Sequence, residues 1–222
     1  VVTALEWNPH DWSIDFEHGG EDLASLRNAT NMFKVAVNEH DVQERILFHM
    51  VSALDYLHNE QKIKHCDIKP HNVLLSHDHQ IVKLCDFGHA RNMRDVVTSG
   101  GTHCYIAPEF LLRGEIGAAS DIWALGITML FILNIIPLPG TESRAETWQI
   151  GRLVDDKLER RKMRRWLATV TKAKEKIPAT WSVLREMLDF DSEVRITAAR
   201  LVQRLKITTI SDRAESRQLL EA

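Results

Sequence analysis

Residues 65–75 read His65-Cys66-Asp67-Ile68-Lys69-Pro70-His71-Asn72-Val73-Leu74-Leu75. An acid, a lysine and an amide stand at short fixed spacings, and an apolar run closes the stretch. Pro70 fixes its own φ and steers Lys69 away from helix, which predicts an ordered loop over the polar half. Val73 to Leu75 then predict a short buried strand. On one rigid loop, Asp67 can accept a hydroxyl proton, Lys69 can neutralise phosphate charge and Asn72 can offer oxygen to Mg²⁺. That set suits phosphoryl transfer.

A second acid, Asp86, lies fourteen residues beyond Asn72 in Lys83-Leu84-Cys85-Asp86-Phe87-Gly88. It ends an apolar run and precedes a glycine, where a metal-binding carboxylate can leave a strand. Neither motif says much alone. Together, in this order and at this distance, they resemble the catalytic loop and metal-binding motif of the eukaryotic protein kinases, and Lys69-Pro70 is similar to the serine/threonine branch.

The resemblance extends over most of the chain. Ala107-Pro108-Glu109 resembles the end of a kinase activation segment, with Gly101-Thr102 ahead of it. It implies that the Thr102 hydroxyl packs against Asp67 and Lys69. Asp121-Ile122-Trp123-Ala124-Leu125-Gly126 resembles the start of the central helix of the large lobe, whose Asp holds the backbone of the catalytic loop. Arg195 resembles the arginine that pairs with the Glu of Ala-Pro-Glu. Ile14 to Leu23 resembles the hinge between lobes. There Asp15, Phe16 and Glu17 would present backbone groups to adenine, Glu21 would reach the ribose, and Leu74 would lie under the ring. The implied cofactors are ATP and Mg²⁺, with Asn72 and Asp86 as metal ligands and Asp67, Lys69 and Thr102 as catalytic residues. The implied partner is a protein substrate with a Ser or Thr hydroxyl.

Two departures from the family pattern stand out. No G-x-G-x-x-G occurs in the sequence, and no Val-Ala-x-Lys precedes the hinge. The small lobe is therefore expected to be mostly missing from this chain, which begins with Val and reads as an excerpt or a processed form. An edge of the remaining N-terminal sheet would then be open to a partner. The second departure is Cys66, where many relatives carry an arginine that pairs with a phosphate on the activation segment. A thiol cannot make that pair, so phosphorylation of Thr98 or Ser99 is not expected to be needed to order the segment. Cys66 itself reads as a small buried filler rather than a redox-sensitive site.

The expected fold class is α+β: a mainly helical kinase-like large lobe with a short remnant of the small-lobe sheet. Residues 1–17 read as strand and hinge remnant, 18–206 as the large lobe and 207–222 as a mixed, charged tail that frays. Val1 to Trp7 and Trp12 to Glu17 predict strands around a turn at Asn8-Pro9-His10-Asp11. Glu21-Asp22-Leu23 predicts the start of a short helix. Asp41 and Glu44 suggest a capping box, followed by a helical stripe at Val42, Ile46, Met50, Leu54 and Leu57. Ile81 to Leu84 predicts a strand after the turn Ser76 to His79.

Residues 122–138 are nearly all apolar and about one membrane span long. Gly126, Thr128 and Asn134 interrupt them and Asp121 opens them, so they read as a buried core helix that Pro137-Leu138-Pro139-Gly140 stops. The basic run Arg160-Arg161-Lys162-Met163-Arg164-Arg165 reads as a solvated helix face. Pro178 and Thr180 predict a further helix buried through Trp181, Leu184, Met187 and Leu188, and Thr197 caps a last one to Leu205.

A formal charge of −3 gives no sign of a nucleic-acid or membrane partner. Three widely spaced cysteines, with no C-x-x-C, argue against a disulfide framework and for a reducing, intracellular compartment, cytoplasmic or nuclear.

Two enzyme readings and one binding reading follow. The leading one is a serine/threonine protein kinase. The second is a catalytically impaired kinase-like scaffold or regulatory module. The third, a small-molecule phosphotransferase, fits less well, because Gly101 to Glu109 would build a platform for a peptide.

Overall fold

The computed structural model describes residues 1–8, 13–35, 39–141 and 147–205. The chain is mixed α+β. Among the described residues, seven short strands form small antiparallel pairings, and the helices gather around one apolar helix. The residue 207–222 tail and most of the expected Asn8–Asp11 turn lie outside the described residues.

Among the described residues, strands β1 (Ala4–Asn8) and β2 (Ser13–Phe16) pair only with each other. β1 begins three residues later than the sequence run suggested, and β2 ends one residue earlier. Leu5, Ile14 and Phe16 are exposed on this hairpin. The chain then enters β3 (Glu21–Asp22), not the short helix expected there. Asp22 sits opposite Leu74 on β5 (Val73–Leu75), which pairs in turn with β6 (Val82–Leu84). Pairing overrides local preference here, because Gly20, at φ +102°, lies so close that a Cβ would be 2.0 Å from the Leu75 carbonyl oxygen. The Asp22 carboxylate then accepts from Ser25 N–H at 3.0 Å and closes a turn.

Helix α1 (Glu39–Asp55) starts two residues before Asp41, so the suggested capping box does not form there; Asp41 instead lies in the acidic first turn. Its stripe of Val42, Ile46, Met50 and Leu54 is buried, and Leu57 continues it on a π-helical turn over Tyr56–Glu60. Beyond it come β4 (Ile63–Lys64), the polar loop, the β5–β6 hairpin and β7 (Arg91–Asn92), which pairs with β4. The short α2 (Phe110–Arg113) follows Ala107-Pro108-Glu109.

Helix α3 (Ala118–Ile132) is the apolar run, and every residue from Ser120 to Ile132 is buried. It begins earlier and ends earlier than expected. Gly117 is its N-cap, and the Ser120 hydroxyl accepts the Gly117 N–H at 3.1 Å. Its end is set by Asn134 in the left-handed region at φ +57° and by Gln43 of α1, whose side chain donates to the Ile132 carbonyl at 2.8 Å. The proline-rich stretch lies beyond this stop. Among the described residues no helix is long and apolar enough to cross a membrane.

Helix α4 (Lys157–Glu175) carries the basic run. Asp156 caps it by accepting from Leu158 N–H, and Met163, Leu167, Val170 and Ala173 face inward. A 3₁₀ turn over Ala179–Trp181 leads to α5 (Val183–Met187), a shorter helix than expected. Residues 198–205 form α6, where the Thr197 hydroxyl accepts Arg200 N–H at 3.4 Å.

Between these elements Arg195 is locked to Glu109 by two bonds of 2.8 Å, with Ser120 Oγ donating to Glu109 Oε1 at 2.9 Å. The guanidinium also lies 5.2 Å from the Trp123 ring. Removing one member of such a buried pair costs about 3–5 kcal/mol.

Gly126 is where α3 meets the end of α5. A Cβ there would sit 2.8 Å from Leu188 Cδ2 and 2.9 Å from its Cγ. Gly126→Ala is expected to lower unfolding free energy by about 1–3 kcal/mol through overpacking. Gly151→Ala, with no atom within 4 Å of the new Cβ, is expected to stay within about 0.5 kcal/mol of the parent. Urea titration of both variants checks the contrast.

Candidate functional site

The loop between β4 and β5 takes its shape from below. Asp121, in the first turn of α3, is buried and accepts three hydrogen bonds. His65 N–H and His58 Nε2 each donate to Oδ2 at 2.9 Å, and Cys66 N–H donates to Oδ1 at 2.8 Å. Cys66 lies in the left-handed region at φ +67°, which disfavours a residue with a Cβ by about 1–2 kcal/mol. Charge-assisted bonds to consecutive amides are strong enough to hold that conformation.

Above this anchor the polar side chains close on one another. Lys69 Nζ donates to Asp67 Oδ2 at 2.7 Å and to Thr102 Oγ1 at 3.0 Å. Thr102 Oγ1 donates to Asp67 Oδ1 at 2.7 Å. Asn72 Nδ2 donates to the Asp67 carbonyl at 2.8 Å and lies 3.3 Å from Asp67 Oδ2. Burial works to raise the pKa of Asp67, but the bonds from Lys69 and Thr102 outweigh it and hold the carboxyl below its ordinary 3.8. Asp67 is therefore a carboxylate at neutral pH. Oδ2 takes both Lys69 and Asn72, whereas Oδ1, with Thr102 as its one donor among the described residues, keeps a second lone pair for another donor.

His65 joins this loop to the second acid. Its Nε2–H donates to the Cys85 carbonyl at 3.1 Å, which leaves Nδ1 to accept Asp67 N–H at 3.4 Å. Burial pushes the ring below its ordinary 6.5, against the pull of Asp121, so it is neutral as this pattern requires. The Phe87 ring meets it edge-on at 4.9 Å. Asp86 is exposed, sits at φ +61° and accepts Gly88 N–H at 3.2 Å.

The donor set for a divalent ion can be judged from these bonds. The Asn72 nitrogen is committed to Asp67, and its Oδ1 has no donor among the described residues. Cys85 N–H donates to the Asn72 carbonyl at 3.0 Å, which sets Asn72 beside the residue before Asp86. An amide oxygen and an exposed carboxylate are hard donors of the kind Mg²⁺ takes, few in number because that ion keeps much of its water. The residues fit Mg²⁺.

The expected adenine residues make no hydrogen bond to this cluster among the described residues. Asp15 and Phe16 are exposed on β2, Glu21 is exposed on β3, and Leu74 is half-buried on β5. Leu74 packs so closely beneath Gly19 that a Cβ there would be 2.4 Å from its Cδ1. The Glu17 N–H donates to the Thr3 carbonyl at 3.0 Å, so it is engaged within the chain. The Glu17 carboxylate takes Lys83 Nζ at 2.5 Å and Thr3 N–H at 2.7 Å, which lowers its pKa to about 2.

Segment 91–102 is tied to the rest of the lobe by hydrogen bonds to its backbone carbonyls. The buried Lys64 donates from Nζ to the Asp95 carbonyl at 2.6 Å, and Ile116 N–H donates to the Val97 carbonyl at 2.8 Å. Gly101, at φ +78°, passes so close to the loop that a Cβ would be 2.9 Å from the Cys66 carbonyl oxygen, and this approach delivers Thr102 to Asp67.

Sequence reasoning missed His58, Lys64 and Ser120. Their only signal was an ionisable or polar group on an otherwise apolar face, as at His58 one turn after Leu54.

The sequence profile described as Protein kinase domain matches residues 14–205, and the chain belongs to that family. It is similar to the MAP kinase kinase skh1/pek1 of Schizosaccharomyces pombe, 45% identical over 98 residues that cover 43% of this chain and 26% of that protein. It is similar to the cAMP-dependent protein kinase catalytic subunit 3 of Drosophila melanogaster, 38% identical over 138 residues, 60% of this chain and 22% of that protein. The serine/threonine-protein kinase fused of Drosophila melanogaster is 49% identical over 86 residues, 37% of this chain and 10% of that protein. The chain thus spans about a quarter of the length of the first two relatives and a tenth of the third.

Asp121→Asn keeps one acceptor oxygen but turns an N–H towards a buried donor. It is expected to destabilise the fold by about 3 kcal/mol, read by urea titration. Burial, helped by Asp121, pushes the Cys66 thiol from its ordinary 9.0 to about 12. Its favourable contribution is complete below pH 9 and is lost as pH rises towards 12. Iodoacetamide at pH 8 is expected to leave Cys66 unlabelled in the native chain and to label it in urea, as peptide mass mapping will show.

Proposed function

We propose that this chain carries the catalytic half of a serine/threonine protein kinase, which moves the γ-phosphoryl group of ATP to a protein hydroxyl. The observation that carries the reading is the closed set Asp67–Lys69–Thr102–Asn72, held on a strained loop by Asp121. Asp67 orients the substrate hydroxyl and accepts its proton. Lys69, fixed by two partners, offers positive charge where the transferred group gains negative charge. Asn72 Oδ1 and the Asp86 carboxylate hold Mg²⁺, which when bound neutralises phosphate charge. Asp15 to Glu17, Glu21 and Leu74 form the adenine and ribose side. Activity that needs Asp67 ionised keeps its acid limb below the ordinary carboxyl value of 3.8, since the bonds from Lys69 and Thr102 lower that carboxyl against the effect of its burial. The region 18–206 acts as a large lobe and 1–17 as the remnant of a smaller one.

A second reading is a kinase-like scaffold or regulator. It is favoured by the engagement of Glu17 N–H with the Thr3 carbonyl within the chain. Its partner would lie along the exposed edge of the β1–β2 hairpin.

Thermal unfolding with and without Mg-ATP separates the two. At ligand about 100-fold above Kd the stabilisation should approach about 2.7 kcal/mol. The kinase reading expects a metal-dependent shift that Asp86→Asn removes. It also expects Asp67→Asn to keep the shift while lowering phosphotransfer by about 10²–10⁴-fold. No shift with the parent chain would favour the scaffold.

A further inference from the structure

Helix α4 is charged in a way that folding alone does not explain. It carries eight Lys and Arg against two Glu, in a chain whose formal charge is −3. Lys157, Arg161, Arg164, Arg165, Lys172 and the C-cap Lys176 are all exposed. They follow a helical spacing and form a stripe about 28 Å long at 1.5 Å per residue. None of the six pairs with a carboxylate among the described residues. Of the two acids, Glu159 is buried and accepts Gln149 N–H and Lys162 Nζ, and Glu175 is exposed at the last residue of the helix, beside Lys172 and Lys176, so it offsets only that end of the stripe. Like charges four residues apart weaken a helix, and cations near its N-terminus oppose the macrodipole. A merely solvated helix of this length would interleave acids with the bases.

One end of the stripe is apolar. Arg160 donates to the Val154 carbonyl at 3.2 Å and to the Leu111 carbonyl at 3.1 Å, and so draws α4 and α2 together. Around that tie Leu112 is 85% exposed, Leu158 58% and Val154 55%. The same helix is fixed to the segment that follows Thr102, since Trp166 Nε1 donates to the Cys104 carbonyl at 2.8 Å. The stripe therefore stands on the element that supplies Thr102 to Asp67.

We propose that the outer face of α4, with the apolar end at Leu112, Val154 and Leu158, docks an acidic segment of a protein partner that carries an apolar side chain. On the reading above, this partner is the phosphoryl acceptor. A polynucleotide suits the surface less well. The chain outside α4 is strongly acidic and would repel a long polyanion, and the apolar end offers nothing to phosphates. A bilayer suits it less well too, because the outer face has no apolar stripe along its length to bury.

The test uses the full chain and a fluorescent 15-residue peptide rich in Glu with one terminal Leu. Anisotropy should report binding that weakens as salt rises. Arg161→Glu/Arg165→Glu/Lys172→Glu should weaken it by at least about tenfold, and Leu158→Ser should weaken it further. Unchanged far-UV circular dichroism and melting temperature show that these variants fold. Equal binding by parent and triple variant would overturn the proposal. So would tighter binding of a duplex DNA of equal charge, or of vesicles rich in phosphatidylserine. An acceptor peptide with and without the acidic segment is phosphorylated in parallel. The segment should lower KM with kcat unchanged, and the triple variant should lose only that gain. Failure of phosphotransfer on both peptides, with charge-dependent binding intact, would remove the kinase reading and leave the docking face in place. Binding does not depend on Asp67, so Asp67→Asn should bind the peptide as the parent does.

Discussion

One buried carboxylate sets the terms for the candidate site. Asp121 stands in the first turn of the central helix and takes the N–H groups of His65 and Cys66 together with the His58 ring. Without it those two amides would be buried donors with no partner, each a cost of about 1–3 kcal/mol. The positive φ at Cys66 would also have nothing to hold it. The turn at Cys66 presents Asp67 to Lys69, Thr102 and Asn72 on the opposite side. The site's geometry is thus a consequence of helix placement, and the helix is placed by packing. The T-shaped contact of Phe33 with Phe131, at 5.7 Å, and the close approach of Gly126 to Leu188 belong to the same constraint.

A second anchor works beside the first. Glu109 follows the segment that brings Thr102 to the loop, and Arg195 holds it from the far end of the chain. Ser120, the neighbour of Asp121, donates to the same carboxylate. One turn of α3 therefore fixes both the loop that bears Asp67 and the segment that bears Thr102. His65 extends the connection to the strand before Asp86 through its bond to the Cys85 carbonyl. Acid, lysine, amide and second acid are parts of one braced assembly rather than four independent side chains.

Much of this was legible in the sequence, and the reasons differ from place to place. Val42, Ile46, Met50 and Leu54 announced α1, because a helical stripe is a local signal. Pro70 announced an ordered loop for the same reason. The ends of α3 were not legible. The apolar run continues past Ile132, and the stop depends on Asn134 and on a glutamine 89 residues away in α1. The strand at Glu21 and Asp22 was misread as helix, since only pairing with β5 decides it. His58, Lys64 and Ser120 escaped notice because each answers to a partner made by the fold; for His58 that partner is 63 residues distant. The engagement of Glu17 with Thr3 is likewise a matter of hairpin register.

The close spacing of Ser120 and Asp121 has a consequence for how such a chain tolerates changes of length. A residue inserted between them would turn one anchor by about 100° around the helix axis relative to the other. No repacking of side chains restores two anchors that point in different directions. After Ile132, by contrast, the chain leaves the helix through a left-handed residue and runs on outside it, and an added residue there can be absorbed. Variation in length among chains built this way should therefore concentrate after the central helix and stay away from its first turn.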